Sequence, residues 1–301
     1  MHKILPKAFF QQRTTSERRG RFLAGTILCC LLLISFYVVL VGTGWGHQLD
    51  DDTFLGRGAM SQQVVRVDAA LLLGISNGTI VAATVVLLLI SVVRRRALVG
   101  VLTVAGFFMA VAGAEILKDF VFQWRALVPD DAELNAYFDG NTYPSGHATI
   151  ATAFLLSLLL LSPPRWRLWL TAVAGAGSSV FAAGVVFAGW HRASDALGAL
   201  AWSGFCMNLA AAAAVRFRGR PAIDEGRHGS TASIVVGLVM LLCFFLIVSP
   251  AVAQYPNRDL PFVLVGAAII AGSFALTIWY SRELQSVEFL EGTDSLVRSE
   301  K

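Results

Sequence analysis

Charge and cysteine are both scarce in this chain. Asp, Glu, Lys and Arg make up 15% of its 301 residues, well under the roughly 25% of a typical soluble domain. An ordinary water-soluble fold is therefore excluded. The four cysteines (Cys29, Cys30, Cys206 and Cys243) all fall within apolar runs, and no Cys-x-x-Cys spacing occurs. That pattern argues against a disulfide framework and against a cysteine metal site. Internal repeats are missing, and low complexity is confined to the Ala210–Ala214 run, which reads as helix packing. The short alternating segments of a membrane β-barrel are missing too.

What is abundant is apolar residue, 56% of the chain. Continuous apolar stretches of about 20 residues are long enough to cross a bilayer as helices. Eight approach that length, at 22–44, 70–93, 97–117, 146–162, 168–189, 194–215, 231–249 and 260–280. The fold class expected is all-α, a polytopic transmembrane helix bundle of about eight spans. The first run exceeds a signal-peptide core and has no evident cleavage site, so it reads as a retained span.

The net charge of +4 raises the question of nucleic acid, but the basic residues sit in short loops beside spans. Alternating those loops from a cytoplasmic N-terminus puts 18 Lys and Arg inside and six outside. Such a bias sets orientation. Both termini are then expected in the cytoplasm of a multi-pass plasma (inner) membrane protein, with no nucleic-acid partner. Trp45, Trp124, Tyr137, Tyr143 and Trp190 fall near the outer interface, as an aromatic belt does.

Chemistry-bearing residues gather on that outer side. In Tyr143-Pro144-Ser145-Gly146-His147 a polar loop turns into an apolar run. Ser145 is a candidate N-cap, and the free N–H groups of a helix start can receive an anion. His147 stands at its mouth. His191 and Asp195 are spaced i, i+4, so on a helix the carboxylate can orient the imidazole. Lys118 and Arg125 lie seven apart, and on a continuous helix they share a face about 10 Å apart along the axis. Glu115, three residues before Lys118, is expected to pair with it. Asn77 and Asn208 are expected to make hydrogen bonds between helices, and Asp130, Asp131 and Glu133 to line a solvated loop. Two histidines, an oriented carboxylate and two cations suit phosphoryl transfer: one ring attacks phosphorus, the other protonates the leaving oxygen, and the cations hold the anionic oxygens.

Lys118-x6-Arg125, Pro144-Ser145-Gly146-His147 and His191-x3-Asp195 together resemble the three-part signature of the type 2 phosphatidic acid phosphatase superfamily, over roughly residues 65–215. The resemblance implies a six-helix core that hydrolyses lipid phosphates or pyrophosphates without cofactor or metal. It implies that His191 is the nucleophile forming a phosphohistidine, Asp195 its orienting partner and His147 the general acid. Lys118, Arg125, Ser145 and Gly146 would cradle the phosphate. The substrate expected is a polyprenyl or glycerolipid phosphate or pyrophosphate, and the domain plan is a tail at 1–21, a six-span core at 22–215, two further spans at 216–280 and a cytoplasmic tail at 281–301.

Two positions depart from that signature. Ala126 follows Arg125 where the family usually has Pro, and Gly184-Val185 stand where it has Ser-Arg. A lost guanidinium removes charge-assisted hydrogen bonds of about 1.5–3 kcal/mol each. Arg192 is a candidate substitute, although on a helix it points about 100° from His191. Arg57 and Arg66 are outer cations that read as surface charges unless the chain folds them in. Alternatives are a phosphotransferase on the same scaffold, a catalytically impaired lipid-binding protein and, more remotely, a metal hydrolase using His147, His191 and Asp195.

Overall fold

The computed structural model describes residues 7–125, 141–221, 260–285 and 287–289. Nine helices carry almost all of it: α1 (Lys7–Phe36), α2 (Gly44–Gly56), α3 (Gln62–Leu73), α4 (Asn77–Val93), α5 (Ala97–Ile116), α6 (Gly146–Leu161), α7 (Pro164–Phe187), α8 (Ala193–Arg218) and α9 (Leu260–Gln285). Strands β1 (Gly219–Pro221) and β2 (Val287–Phe289) pair antiparallel at one end.

Among the described residues, five helical segments are long and apolar enough to span a membrane: Thr15–Val41, Ala97–Val121, Pro164–Phe187, Ala193–Arg218 and Leu260–Gln285. The bundle is thus an all-α transmembrane fold. The apolar run at 70–93 does not form one span. It is broken between α3 and α4 with a 64° bend, because Gly74 ends α3 and Ser76 caps α4. The Ser76 hydroxyl accepts from Thr79 N–H while the Thr79 side chain reaches back to the Ser76 N–H, a capping box that starts a new helix. Counting the broken pair as one crossing makes six. Gly146–Leu161, at 16 residues, is a shorter apolar helix; the expected span at 231–249 lies outside the described residues.

α8 is the axis of the bundle, in contact with α1, α5, α6, α7 and α9. Its composition explains this. Ala196, Ala199, Ala210, Ala211, Ala212 and Ala214 are all buried, and small residues let apolar helices approach closely where no hydrophobic effect drives them together. Larger groups lock the approach: the Trp202 indole donates to Ala110 O at 2.9 Å and the Tyr280 hydroxyl to Met207 O at 3.1 Å. The two asparagines depart from expectation. Asn208 donates to Gly204 O within its own helix at 2.7 Å, and Asn77 is exposed at the first turn of α4. Buried Arg167 near the start of α7 donates to Leu284 O and Val287 O, tying α7 to the end of α9 and to β2.

α2 lies outside the spanning set. It buries Gly46, His47, Asp50, Asp51, Thr53, Phe54 and Gly56, a face at helical spacing in which two carboxylates and an imidazole replace apolar side chains. That face meets the start of α8.

Candidate active site

Three chain segments bring the sequence-expected residues to one end of α8. In the first, α5 passes into a π-turn at Leu117–Val121 and then leaves helical geometry. Lys118 sits in that turn, and its Nζ contacts Glu115 Oε2, the pair expected from their spacing. Arg125 lies beyond the helix in irregular chain, so Lys118 and Arg125 do not share a helix face. Its Nη2 donates to Asp195 Oδ1 at 2.8 Å and its Nη1 to Asp50 Oδ2 at 3.2 Å, with only 7% of the side chain exposed. The rings of Tyr37, Phe122 and Tyr143 pack with centroids 4.3–5.6 Å apart, tilted or edge-on, and fix this segment.

The second segment is the loop into α6. Ser145 donates its N–H to Asp195 O at 3.0 Å, and its hydroxyl accepts from Ala148 N–H at 3.4 Å, the N-cap read from sequence. His147, in the first turn, meets the Trp190 ring edge to face at 5.2 Å. Its ring lies where the charges of His191, Glu115 and Lys118 are all felt. Behind the loop, the buried Tyr143 ring lies flat on Gly198 of α8, where a Cβ would stand 2.8 Å from the phenol oxygen and closer still to ring carbons. Gly198→Ala is therefore expected to push Tyr143 and the Ser145–His147 turn off α8. Overpacking of this kind costs about 1–3 kcal/mol, read as a lower melting temperature in detergent together with lost activity.

The third segment joins α7 to α8. Val185 O accepts from both Trp190 N–H (2.9 Å) and His191 N–H (3.0 Å), and Gly189 turns the chain at φ +76°, in the left-handed region that glycine tolerates. His191 Nδ1 lies 3.2 Å from Asp195 Oδ2. Asp195 is fully buried and also accepts from Arg125, the Thr142 hydroxyl and, at 3.1 Å, Arg192 N–H. With the Nδ1 proton held by that carboxylate, the His191 Nε2 lone pair is available for chemistry.

Sequence reasoning missed α2. Asp50 accepts Ser194 N–H at 2.8 Å, the Ser194 hydroxyl at 2.5 Å and Arg125. Asp51 accepts Arg192 Nε at 2.6 Å and lies 3.4 Å from His47 Nε2. Arg192 is 1% exposed in that pair. The signal that was available is the i, i+4 spacing of His47 and Asp51, the same as that of His191 and Asp195. Burial pushes the Asp50 carboxyl up to about 6 even though the Arg125 charge draws it down. A folded value above the ordinary carboxylate value favours folding at low pH, and that contribution is lost as pH rises through about 6. A rise of this size above the ordinary carboxylate value is worth about 3 kcal/mol. Asp50→Asn is expected to flatten the melting temperature between about pH 4 and pH 6.5 relative to the wild type. An unchanged profile would show that Asp50 does not titrate there.

Among the described residues, no group of three or more His, Cys, Asp or Glu side chains is arranged to hold a metal ion. Comparison with known families decides the class: the model described as PAP2 superfamily matches residues 96–219. This segment belongs to the PAP2 superfamily. Neither a curated protein nor a solved structure matches the chain. The PAP2 segment holds Lys118, Arg125, Ser145, Gly146, His147, His191, Arg192 and Asp195, and the superfamily is one of membrane phosphatases. Asp50 and Asp51 of α2 lie before that segment.

Proposed function

We propose that this PAP2 protein hydrolyses the phosphate or pyrophosphate ester of an amphiphilic lipid, polyprenyl or glycerolipid, through a phosphohistidine. The observation that carries the reading is His191 Nδ1 at 3.2 Å from a fully buried Asp195 that Arg125 also holds, within the segment that the family matches. His191 Nε2 attacks phosphorus, forming a P–N bond as the P–O bond to the leaving group breaks. Asp195 stabilises the imidazolium that results. His147 gives its proton to the leaving oxygen, then takes one from the water that attacks phosphorus and breaks the P–N bond. Lys118, Arg125 and the N–H groups following Ser145 hold the anionic oxygens. Arg192, bound to Asp51, ties α2 to the start of α8 and lies one residue from the nucleophile.

The site is assigned to the outer face of the plasma membrane, with both termini cytoplasmic, on the distribution of basic residues between loops. Phosphate release by the purified protein from a panel of polyprenyl and glycerolipid phosphates, with and without a chelator, tests the reaction. Release that resists chelation supports the reading, and no release from any lipid phosphate opposes it. Added acceptor alcohols distinguish hydrolysis from transfer, and cysteine labelling at position 140 tests the side.

A further inference from the structure

We propose that Arg57 supplies the phosphate-binding guanidinium that position 185 lacks, reaching the site from outside the PAP2 segment; the proposal rests on the reaction above. Val185 is fully buried, and its carbonyl is spent on the Trp190 and His191 N–H groups. No cation arises from that stretch of α7. Arg57, in the turn that follows α2, lays its guanidinium on Gly189, two residues before His191. A Cβ on Gly189 would stand 2.7 Å from Arg57 Nη1 and 2.8 Å from Cζ, so only glycine admits this approach. The guanidinium is held from its other side, with Cζ 4.1 Å from the centroid of the Phe54 ring, which is itself buried. α2 is anchored in turn through Asp50 on Ser194 and Asp51 on Arg192. A half-buried, pre-oriented guanidinium beside the nucleophile's turn is suited to forked hydrogen bonding with phosphate oxygens. Arg192 does not fill this place, because its side chain is 1% exposed against Asp51 of α2.

A purely structural role is the rival, since a cation beside the end of α7 also favours that helix C-terminus. The test is calorimetric binding of inorganic phosphate to the purified full chain, together with lipid-phosphate turnover, for wild type, Arg57→Ala, Arg57→Lys and the exposed control Arg66→Ala. Arg57→Ala is expected to weaken phosphate binding about ten- to a hundredfold, the equivalent of lost charge-assisted bonds. The expected kcat/KM loss is similar, with partial recovery by added guanidinium ion or by Arg57→Lys, and with Arg66→Ala unchanged. Undiminished phosphate binding in Arg57→Ala overturns the proposal. So does a loss matched by a lower melting temperature and not recovered by guanidinium, or a wild type that binds no phosphate. If the wild type binds phosphate through Arg57 yet releases none from any lipid, the lipid-phosphatase reading fails and the Arg57 assignment stands.

Discussion

Replacing His191 by alanine is expected to abolish phosphate release, a fall of at least about a thousandfold, while leaving the fold nearly unchanged. The two halves of that expectation come from different contacts. The ring supplies the attacking Nε2, oriented by its Nδ1 on Asp195, and with no nucleophile the P–N bond cannot form. The side chain is 13% exposed at the edge of the cluster, and Asp195 keeps Arg125, Thr142 and the Arg192 N–H when it is gone. Melting in detergent should therefore move by no more than a few degrees. Full activity in this variant would end the phosphohistidine mechanism. A large melting shift would instead make His191 a structural residue.

Arg125→Ala is expected to damage fold and chemistry together. Its guanidinium bridges Asp195 and Asp50, both fully buried in the helical packing around α8. Removing one partner of a buried ion pair leaves an uncompensated charge and costs about 3–5 kcal/mol, and here two carboxylates lose the same partner. Part of the cost should be relieved by proton uptake on Asp50, so the variant should be least stable above about pH 6. Arg125→Lys should recover little, because a point-like ammonium cannot fork to both carboxylates. Thermal unfolding across pH, with activity measured on the surviving folded fraction, checks this. A near-wild-type melting temperature for Arg125→Ala would show that the carboxylates are solvated in ways their burial denies.

Much of this was legible in the amino-acid order, and what was not has definite causes. Apolar length placed the helices now seen at Ala97–Val121, Pro164–Phe187, Ala193–Arg218 and Leu260–Gln285, because hydropathy and length are local properties. The pair of His191 with Asp195 and the cap at Ser145 were legible for the same reason, since both are contacts within four residues. The break between α3 and α4 carried its own mark in Gly74, Ser76 and Thr79, which the surrounding apolar residues outweighed. Arg125 was misplaced relative to Lys118 because a spacing of seven implies a shared face only if the helix continues, whereas it ends through a π-turn at Val121. The contribution of α2 was hidden by distance: Asp50 meets Ser194 across 144 residues and Asp51 meets Arg192 across 141. The one local mark was the i, i+4 spacing of His47 and Asp51, and the run of three aspartates around it reads as a solvated acidic loop.

A covalent intermediate at His191 is what the mechanism requires above all. Rapid quenching of the purified protein during turnover of a phosphate-labelled lipid should trap label on the protein that is labile in acid and stable in alkali, as a phosphoramidate is. The label should map to His191 and be missing from His191→Ala. Turnover with no protein-bound label at any quench time in a variant slowed at His147, or label on a carboxylate or hydroxyl side chain, would contradict it.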